Sequence, residues 1–378
     1  METSRSLSAS AVTKDWWHTA QPAPWTCGLV KVTSFRVVVR DGWYNQGADL
    51  LKWEGYYWLS YGRGTSHGIV QHEFSGHGAN NFGVVLCSND LRRWHQAKVI
   101  EPPGGIRGGR AAGTPYLTAS RERLYGFFDV LTPPESKGPS SSNWVTWTAD
   151  GTNWSEPVVV RLGESYPRTR HPRWHDGKFW CAVAHHEHGH SQFDLCVSED
   201  GIQWTRHAQI TAGDGASDEA DLHWRPDGEL WCIVRLCLGS QRSGAHMFWS
   251  KPPYTEWEGG GKIGWGDAPA ICASGDEVYL AGRGPTRVVQ KPDEIGGKKG
   301  TTTLWRLKRG SMEELVSFPA GGDASYPGLT CQETGKLVVA FYSDFAYQTG
   351  AITPKYHPEY VYKRSANDIY LAEIEVAG

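Results

Sequence analysis

The chain has 378 residues and a formal net charge of −3, so it lacks the basic balance that is typical of nucleic-acid-binding proteins. No run of about 18 apolar residues occurs, which argues against a helical membrane span, and the opening METSRSLSASAVTKDWW has no apolar signal-peptide core. We therefore expect a protein that binds neither nucleic acid nor membranes. We also expect it to be a monomer. The high content of Gly (45) and Trp (19) with few Met (3) favours a closed all-β architecture.

A short polar turn that ends in tryptophan recurs along the chain. Its copies SNDLRRW, TADGTNW, SEDGIQW and SKPPYTEW end at Trp94, Trp154, Trp204 and Trp257. A spacing of roughly 50–60 residues is typical of four-stranded propeller blades. The sequence therefore predicts an all-β fold, a β-propeller of six or seven blades. Residues 1–24 would form an N-terminal extension and residues 25–378 a single propeller domain.

Six segments align as the innermost strands of such blades, and a β-rich run follows each of them. They are Tyr44–Leu51, Ala111–Leu117, Arg168–Trp174, Ser217–Trp224, Gly266–Ile271 and Asp323–Leu329. The apolar segment Gly28–Arg40 supplies one or two further strands. Propellers usually close by pairing strands from both chain ends, so this segment either completes the last sheet or belongs to a seventh.

Polar side chains cluster near the strand ends, where the blades of a propeller meet at one axial mouth. The candidate substrate-binding residues are Arg63, Arg170, His171, His185, Arg235, Arg283 and Tyr342. Two interpretations are open. Arg170, Glu219, Asp267 and Arg235 form an ion network that closes the channel, or arginine forks at the mouth grip a carboxylate.

Histidines offer acid–base chemistry near the same mouth. His67, in GRGTSHG, follows the second strand of the first blade, and His72 and His77 compete with it on one loop. The run HHEHGH (residues 185–190) has spacing that would suit a metal, but a polar loop facing the substrate is the favoured interpretation. We expect no metal and no other cofactor.

The eight cysteines lie mostly within apolar strand runs and show no CxxC pair. A thiol in such a run behaves as a small buried hydrophobe. This pattern favours a reduced, cytoplasmic setting. A secreted protein that has lost its signal peptide is the alternative.

These features together resemble a known group of proteins. SEDGIQW is similar to the sialidase Asp-box, S-x-D-x-G-x-x-W, and SNDLRRW and TADGTNW are degenerate forms of it. The stretches YNQGADLLKWEGYYWLSYGRGTSH, DEADLHWRPDGELWCIVR and GGDASYPGLTCQETGKLVVAFYSD resemble the bacterial sialidase-like β-propellers with BNR repeats. The resemblance covers about Tyr44 to Val376.

The resemblance to sialidases implies three arginines on a substrate carboxylate, a Tyr/Glu nucleophile pair and an Asp acid. Glu219 and Arg235 match the Glu and one Arg, and Arg283 is a candidate for another. Tyr326 or Tyr342 would be the tyrosine. The first arginine is missing, because Gln46-Gly47-Ala48-Asp49 occupies its place, and His67 lies where the Asp is expected.

The chain also resembles propeller lyases that cleave uronic-acid glycans such as ulvan or rhamnosyl-glucuronate ends. These imply a histidine near the mouth, an arginine on the uronate and in some cases a tyrosine. The leading hypothesis is therefore an enzyme that cleaves an acidic oligo- or polysaccharide by β-elimination. Its catalytic residues would be His67 as the base, with Tyr326 and Glu219.

Two alternatives stay open. One is a sialidase-like glycoside hydrolase that uses Glu219 with one of the two tyrosines. The further carboxylates that the sequence offers for it are Asp218, Asp267 and Asp129. The other is a non-catalytic propeller that binds glycans.

Overall fold

The computed structural model describes most of the chain. The described residues are 24–64, 82–103, 111–131, 141–163, 169–187, 190–211, 216–236, 244–284, 300–318, 320, 324–348 and 366–377. The loop with His67, His72 and His77 therefore lies outside the described residues, as does His188. Most of the predicted N-terminal extension also lies outside them.

Six antiparallel sheets form the six blades of a β-propeller. The first two strands of the chain, β1 (Trp25–Cys27) and β2 (Val30–Val39), belong to the last blade. Blade 1 contains β3 (Tyr44–Trp53), β4 (Tyr56–Gly64), β5 (Phe82–Ser88) and β6 (His95–Ile100). Blade 2 contains β7 (Ala111–Ala112), β8 (Tyr116–Ala119), β9 (Leu124–Leu131), β10 (Ser141–Thr148) and β11 (Val158–Val159).

The middle blades repeat this meander. Blade 3 contains β12 (Arg173–His175), β13 (Lys178–Glu187), β14 (His190–Ser198) and β15 (Thr205–Gln209). Blade 4 contains β16 (Ala216–Trp224), β17 (Leu230–Leu236), β18 (Gly244–Ser250) and β19 (Glu258–Gly264). Blade 5 contains β20 (Asp267–Ser274), β21 (Glu277–Gly284), β22 (Thr301–Lys308) and β23 (Ser311–Phe318).

Blade 6 closes the ring with strands from both ends of the chain. It contains β24 (Ala324–Glu333), β25 (Lys336–Ser343) and β26 (Asp368–Val376), followed outward by β2 and β1. The short helix α1 (Phe345–Gln348) comes after β25. The register of β2 against β26 runs from Val30↔Val376 to Val39↔Ile369. The segment Gly28–Arg40 thus completes the last sheet, and the predicted propeller is confirmed with six blades.

Neighbouring blades pack through apolar faces, which is where the hydrophobic core lies. Between blades 3 and 4, for example, the buried side chains of Phe193 and Leu195 pack in one cluster with Leu222 and Val234. Alternation along each strand sends every second side chain into such an interface. The described part of the chain contains no helix long and apolar enough to cross a membrane.

The tryptophan turns are structural, as expected. In SEDGIQW, Oδ1 of Asp200 accepts hydrogen bonds from the backbone N–H groups of Ile202 and Gln203, both at 2.8 Å. The indole of Trp204 is buried and donates to the carbonyl of Gly201 at 2.9 Å. Asp90 and Asp150 make equivalent backbone contacts in their own turns. Each such turn fixes the connection between the two outer strands of its blade.

Buried carboxylates of the inner strands tie adjacent blades together. Asp221 is 1% exposed, and its Oδ2 accepts a hydrogen bond from the backbone N–H of Ile271 in the next blade at 2.7 Å. The guanidinium of Arg173 pairs with both oxygens of Asp221, with 2.7 Å from Nε to Oδ1. Asp49 makes the same kind of link to the N–H of Leu117 at 2.6 Å. These bonds hold the inner strands in place beneath the mouth.

Candidate active site

The inner strands are distorted where they reach the mouth of the propeller. Register shifts mark bulges at Gln46/Asp49, Ala216/Ala220, Asp267/Ala270 and Ser325/Gly328. Left-handed φ values occur at the same level, namely at Gly47 (64°), His171 (48°), Ala268 (55°) and Tyr326 (44°). A bulge leaves a residue outside the ladder and re-aims its side chain. Such strained non-glycine residues cluster at functional sites.

A tyrosine and a glutamate from different blades meet at this level. The hydroxyl of Tyr326, on the inner strand of blade 6, donates a short hydrogen bond to Oε1 of Glu219, on the inner strand of blade 4. Oε1 also accepts from Nη1 of Arg235 at 2.7 Å, and Oε2 accepts from the N–H of Ala268 at 2.7 Å. Glu219 is 5% exposed, so these donors replace the water that it has lost.

The surrounding charges keep Glu219 ionised. Burial by itself raises the pKa of this carboxyl group. The positive charges of Arg235, Arg170 and Arg283 act in the opposite direction and prevail. The hydrogen bond from Tyr326 adds to their effect, and the pKa of Glu219 lies below its ordinary value. Glu219 is thus a carboxylate that is able to accept the phenolic proton.

Tyr326 lies among arginines. The guanidinium carbons of Arg170 and Arg283 are 5.5 and 5.3 Å from the centre of its ring. Burial raises the pKa of Tyr326, and the negative charge of Glu219 raises it further, while the two arginines oppose these effects. The phenol therefore stays protonated until a base removes its proton. Tyr342 is fully buried and stacks behind Tyr326, with 6.3 Å between the ring centres.

An aromatic wall continues from Tyr326 toward blade 2. The guanidinium of Arg170 also lies over the ring of Tyr116, at 5.9 Å. The ring of Tyr116 in turn packs against His171, with 4.4 Å between the ring centres. Burial lowers the pKa of His171, so this imidazole is neutral and packs as part of the wall. His171 was expected to bind substrate, but at 7% exposure it has little surface to offer.

The ion network that was considered from the sequence forms in part. Arg235 bridges two buried carboxylates, Oε1 of Glu219 at 2.7 Å and Oδ2 of Asp267 at 3.3 Å. Arg170 lies over the rings of Tyr116 and Tyr326, and its charge also acts on Glu219. The mouth therefore contains both an ion cluster around Arg235 and two further arginines, Arg170 and Arg283, that lie over the ring of Tyr326.

Strand pairing shows which second-strand residues share one level. Tyr116, Ala270 and Gly328 occupy equivalent positions of their inner strands and pair with Phe127, Ala281 and Ala340. Two residues beyond these partners come Asp129, Arg283 and Tyr342. Arg235 comes three residues beyond Cys232, the partner of the equivalent Leu222.

The other two candidates from second strands lie farther along. Arg63 comes four residues after Leu59, the partner of the equivalent Leu50, and is paired with Asp41 at 3.0 Å. His185 comes five residues after the partner of Arg173, with its Nδ1 3.2 Å from Oδ2 of Asp194.

Two of the hypotheses from the sequence concern a histidine base and a metal site. His67 lies outside the described residues, so its role as a base stays a prediction. Among the described residues, no group of three or more His, Cys, Asp or Glu side chains is arranged to hold a metal ion.

The sequence analysis did not single out Tyr116. It also did not predict that Glu219 accepts a hydrogen bond from the backbone N–H of Ala268 in the next blade. Tyr116 directly follows Pro115, as Arg173 directly follows Pro172, and this alignment was the available signal. Blade 1 differs from the other blades. A Cβ on Gly47 would lie 2.5 Å from Oγ1 of Thr114, so this strand has no room for a side chain at that position.

Comparison with known proteins identifies the fold. No family model matches the chain, and no curated protein does. A protein of unknown function from Dyadobacter fermentans DSM 18053 is similar with a TM-score of 0.69 and 16% identity, over 92% of this chain and 99% of that chain. The phage phi92 endosialidase has a TM-score of 0.65 and 10% identity, over 91% of this chain and 69% of its own.

The Hadza microbial sialidase Hz136 has a TM-score of 0.61 and 13% identity, over 87% of this chain and 65% of its own. At such identities the likeness concerns the fold alone. The chain spans about two thirds of the endosialidase and of the Hadza sialidase. Its fold, a six-bladed β-propeller, is similar to the folds of these proteins.

Proposed function

We propose that the protein is a glycoside hydrolase that removes an acidic sugar from a glycan, with Tyr326 as the nucleophile and Glu219 as its base. The observation that carries this proposal is the hydrogen bond from the Tyr326 hydroxyl to Oε1 of the buried, ionised Glu219. A nucleophile hydrogen-bonded to a base that other groups hold in place is the arrangement that covalent catalysis requires. The sialidase-like fold makes a glycan the fitting class of substrate.

The arginines favour a substrate that carries a carboxylate. Arg170 and Arg283 both lie over the ring of Tyr326, so an anion bound by them would be held beside the phenolic oxygen. Guanidinium groups match the planar, bidentate geometry of a carboxylate. Sialic acids bear such a group on the anomeric carbon, whereas uronic acids bear it on the carbon at the other side of the ring oxygen. When the arginines bind the carboxylate of a sialic acid, the anomeric carbon that bears it would lie close to the hydroxyl of Tyr326. A sialic acid therefore suits a nucleophile at this position.

The reaction would proceed in two steps. The phenolic oxygen of Tyr326 forms a bond to the anomeric carbon while its proton passes to Glu219, and the bond to the leaving oxygen breaks. Water then attacks the same carbon and releases Tyr326, which takes its proton back from Glu219. Anionic Glu219 also stabilises the positive charge that develops on the sugar ring.

A second candidate is β-elimination on a uronic acid. The observation that favours it is blade 1, where Gly47 has no room for the first arginine of the sialidase pattern. In this case the arginines would neutralise the uronate, and His67, or Tyr326 after loss of its proton to Glu219, would remove the acidic C–H proton.

One experiment separates these candidates. The protein is incubated with sialyl- and uronate-containing glycans, and released sugar and the ultraviolet absorbance of an unsaturated uronate are followed in parallel. Freed acidic sugar without absorbance supports hydrolysis, whereas rising absorbance supports elimination. A fluorinated sialic acid with a good leaving group is then used to trap the intermediate, and peptide mass spectrometry is expected to find the adduct on Tyr326. No turnover of any glycan in the set would support the glycan-binding alternative.

A further inference from the structure

Departure of the leaving group from an acidic glycan needs a second carboxyl group. The oxygen that leaves must acquire a proton, and catalysis by a positioned acid contributes roughly 10²–10⁴-fold in rate. Glu219 is engaged as the acceptor of Tyr326, Arg235 and the N–H of Ala268. Asp267 is buried and paired with Arg235. The proton therefore has to come from another residue.

We propose that Asp129 donates this proton, supplied from blade 2 in place of the aspartate that is missing after blade 1. The assignment rests on the hydrolase function proposed above. Asp129 is half-buried near the end of β9, so its carboxyl group keeps access to the mouth. It lies two residues beyond Phe127, the partner of Tyr116, which is the offset that Arg283 and Tyr342 have in their blades.

The order of the blades around the axis supports this position. Tyr326 comes from blade 6, Glu219 from blade 4 and Asp129 from blade 2, so three alternate blades of the six supply the three groups. A sugar bound at the mouth would then have the nucleophile with its base on one side and Asp129 on another. This separation is what a retaining mechanism with an independent acid requires.

The inner strand of blade 2 leaves room for the carboxyl group of Asp129. A Cβ on Gly113 would lie 2.1 Å from Oδ1 of Asp129, so the absence of a side chain at Gly113 lets the carboxyl group lie against this inner strand. The N–H of Gly113 donates to the backbone carbonyl of Asp129 at 2.8 Å, which fixes the two strands at this point. The carboxyl group therefore lies at the axial side of its blade.

Electrostatic contact with Tyr116 links Asp129 to the reacting pair. Burial raises the pKa of Tyr116 most strongly, and the charges of Arg170, Asp129 and Glu219 all act on the same phenol. Tyr116 thus interacts electrostatically with both carboxyl groups.

Asp129 recovers in the second step the proton that it gives in the first. In the first step Asp129, as the acid, gives its proton to the leaving oxygen as the bond to the anomeric carbon breaks. In the second step the carboxylate of Asp129 takes a proton from the attacking water. The only co-reactant is water, and the enzyme returns to its starting state.

The test is the dependence of rate on the leaving group. Asp129→Asn is compared with the wild type on an aryl glycoside and an alkyl glycoside of the acidic sugar that the wild type releases. We expect kcat/KM to fall by about 10²–10⁴-fold on the alkyl glycoside and by less than about 10-fold on the aryl glycoside, whose oxygen leaves without a proton. Asp276→Asn, at an exposed turn, is the matched control.

Each outcome bears on one of the two proposals. An equal loss on both glycosides, with intact folding, would overturn the role of Asp129 and leave the hydrolase proposal standing. If the wild type releases no acidic sugar from any glycan or aryl glycoside offered, the hydrolase proposal itself fails. Gly113→Ala provides a second variant. It displaces the carboxyl group without removing it, so it should show the same preference for the aryl glycoside.

Discussion

The hydroxyl of Tyr326 and the carboxylate of Glu219 are hydrogen-bonded across the mouth of the propeller, although 107 positions separate them in the sequence. The bond links blade 6 to blade 4, past the intervening blade 5. Ala268 of blade 5 donates its backbone N–H to the other oxygen of the same carboxylate at 2.7 Å. Three successive blades thus hold one carboxylate, and this arrangement gives rise to the predictions below.

Loss of the Tyr326 hydroxyl should abolish catalysis and leave the fold intact. We expect Tyr326→Phe to lower kcat by at least about 10³-fold, because the nucleophile is removed while the ring keeps its packing. The free energy of unfolding should change by only about 1 kcal/mol, the contribution of one hydrogen bond. Steady-state kinetics and urea unfolding measure the two effects. Tyr125→Phe, a buried tyrosine of blade 2, is the control, and a comparable loss of kcat there would contradict the assignment.

Arg283 should bind the acidic group of the substrate. Arg283→Lys is expected to lower kcat/KM by about 10–100-fold on the acidic sugar, because an ammonium does not reproduce the planar fork. On the methyl ester of the same sugar the variant and the wild type should differ little. Arg309→Lys, far from the mouth and stacked on Trp249 at 4.5 Å, serves as the control. Equal losses on the acid and the ester would show that Arg283 acts on something other than the carboxylate.

The lowered pKa of Glu219 makes stability depend on pH in a defined direction. Its pKa is lower in the folded state than in the unfolded chain, so ionised Glu219 stabilises the fold above the unfolded value of about 4.3. That contribution is lost as the pH falls through the lower, folded-state pKa. The Tm of Glu219→Gln should therefore lie below that of the wild type at neutral pH, and the gap should narrow under acid. A gap that is constant from neutral pH to pH of about 3 would contradict this reading.

The ion pair beneath the mouth should matter for stability. Asp221→Ala leaves Arg173 without its buried partner and removes the hydrogen bond to the N–H of Ile271. We expect a loss of about 3–5 kcal/mol in the free energy of unfolding, the range for breaking a buried pair. Urea unfolding measures it, with Asp276→Ala at an exposed turn as the control. A change below about 1 kcal/mol would show that the inner strands do not depend on this link.

The repeated features of the fold could be read from the sequence, because they are local. Turns such as SEDGIQW carry the hydrogen bonds of Asp200 and the indole of Trp204 within a few residues, and alternation within the strands identifies the buried faces. The same repeat placed Glu219, Arg235 and Tyr326 near one mouth. Only the number of blades stayed open, because closure depends on the pairing of β2 with β26 from opposite chain ends.

The partners at the mouth were decided by the tertiary structure. Sequence alignment could not choose between Tyr326 and Tyr342, which lie on neighbouring strands; the bulge at Ser325/Gly328 turns Tyr326 toward Glu219, while Tyr342 is buried behind it. The alignment likewise gave His185 and Arg235 equivalent places, whereas strand register sets them at different heights. Bulges and register depend on contacts between distant segments. The sequence by itself therefore determined the repeat and the kinds of residue near the axis, and the closed ring determined which of them meet.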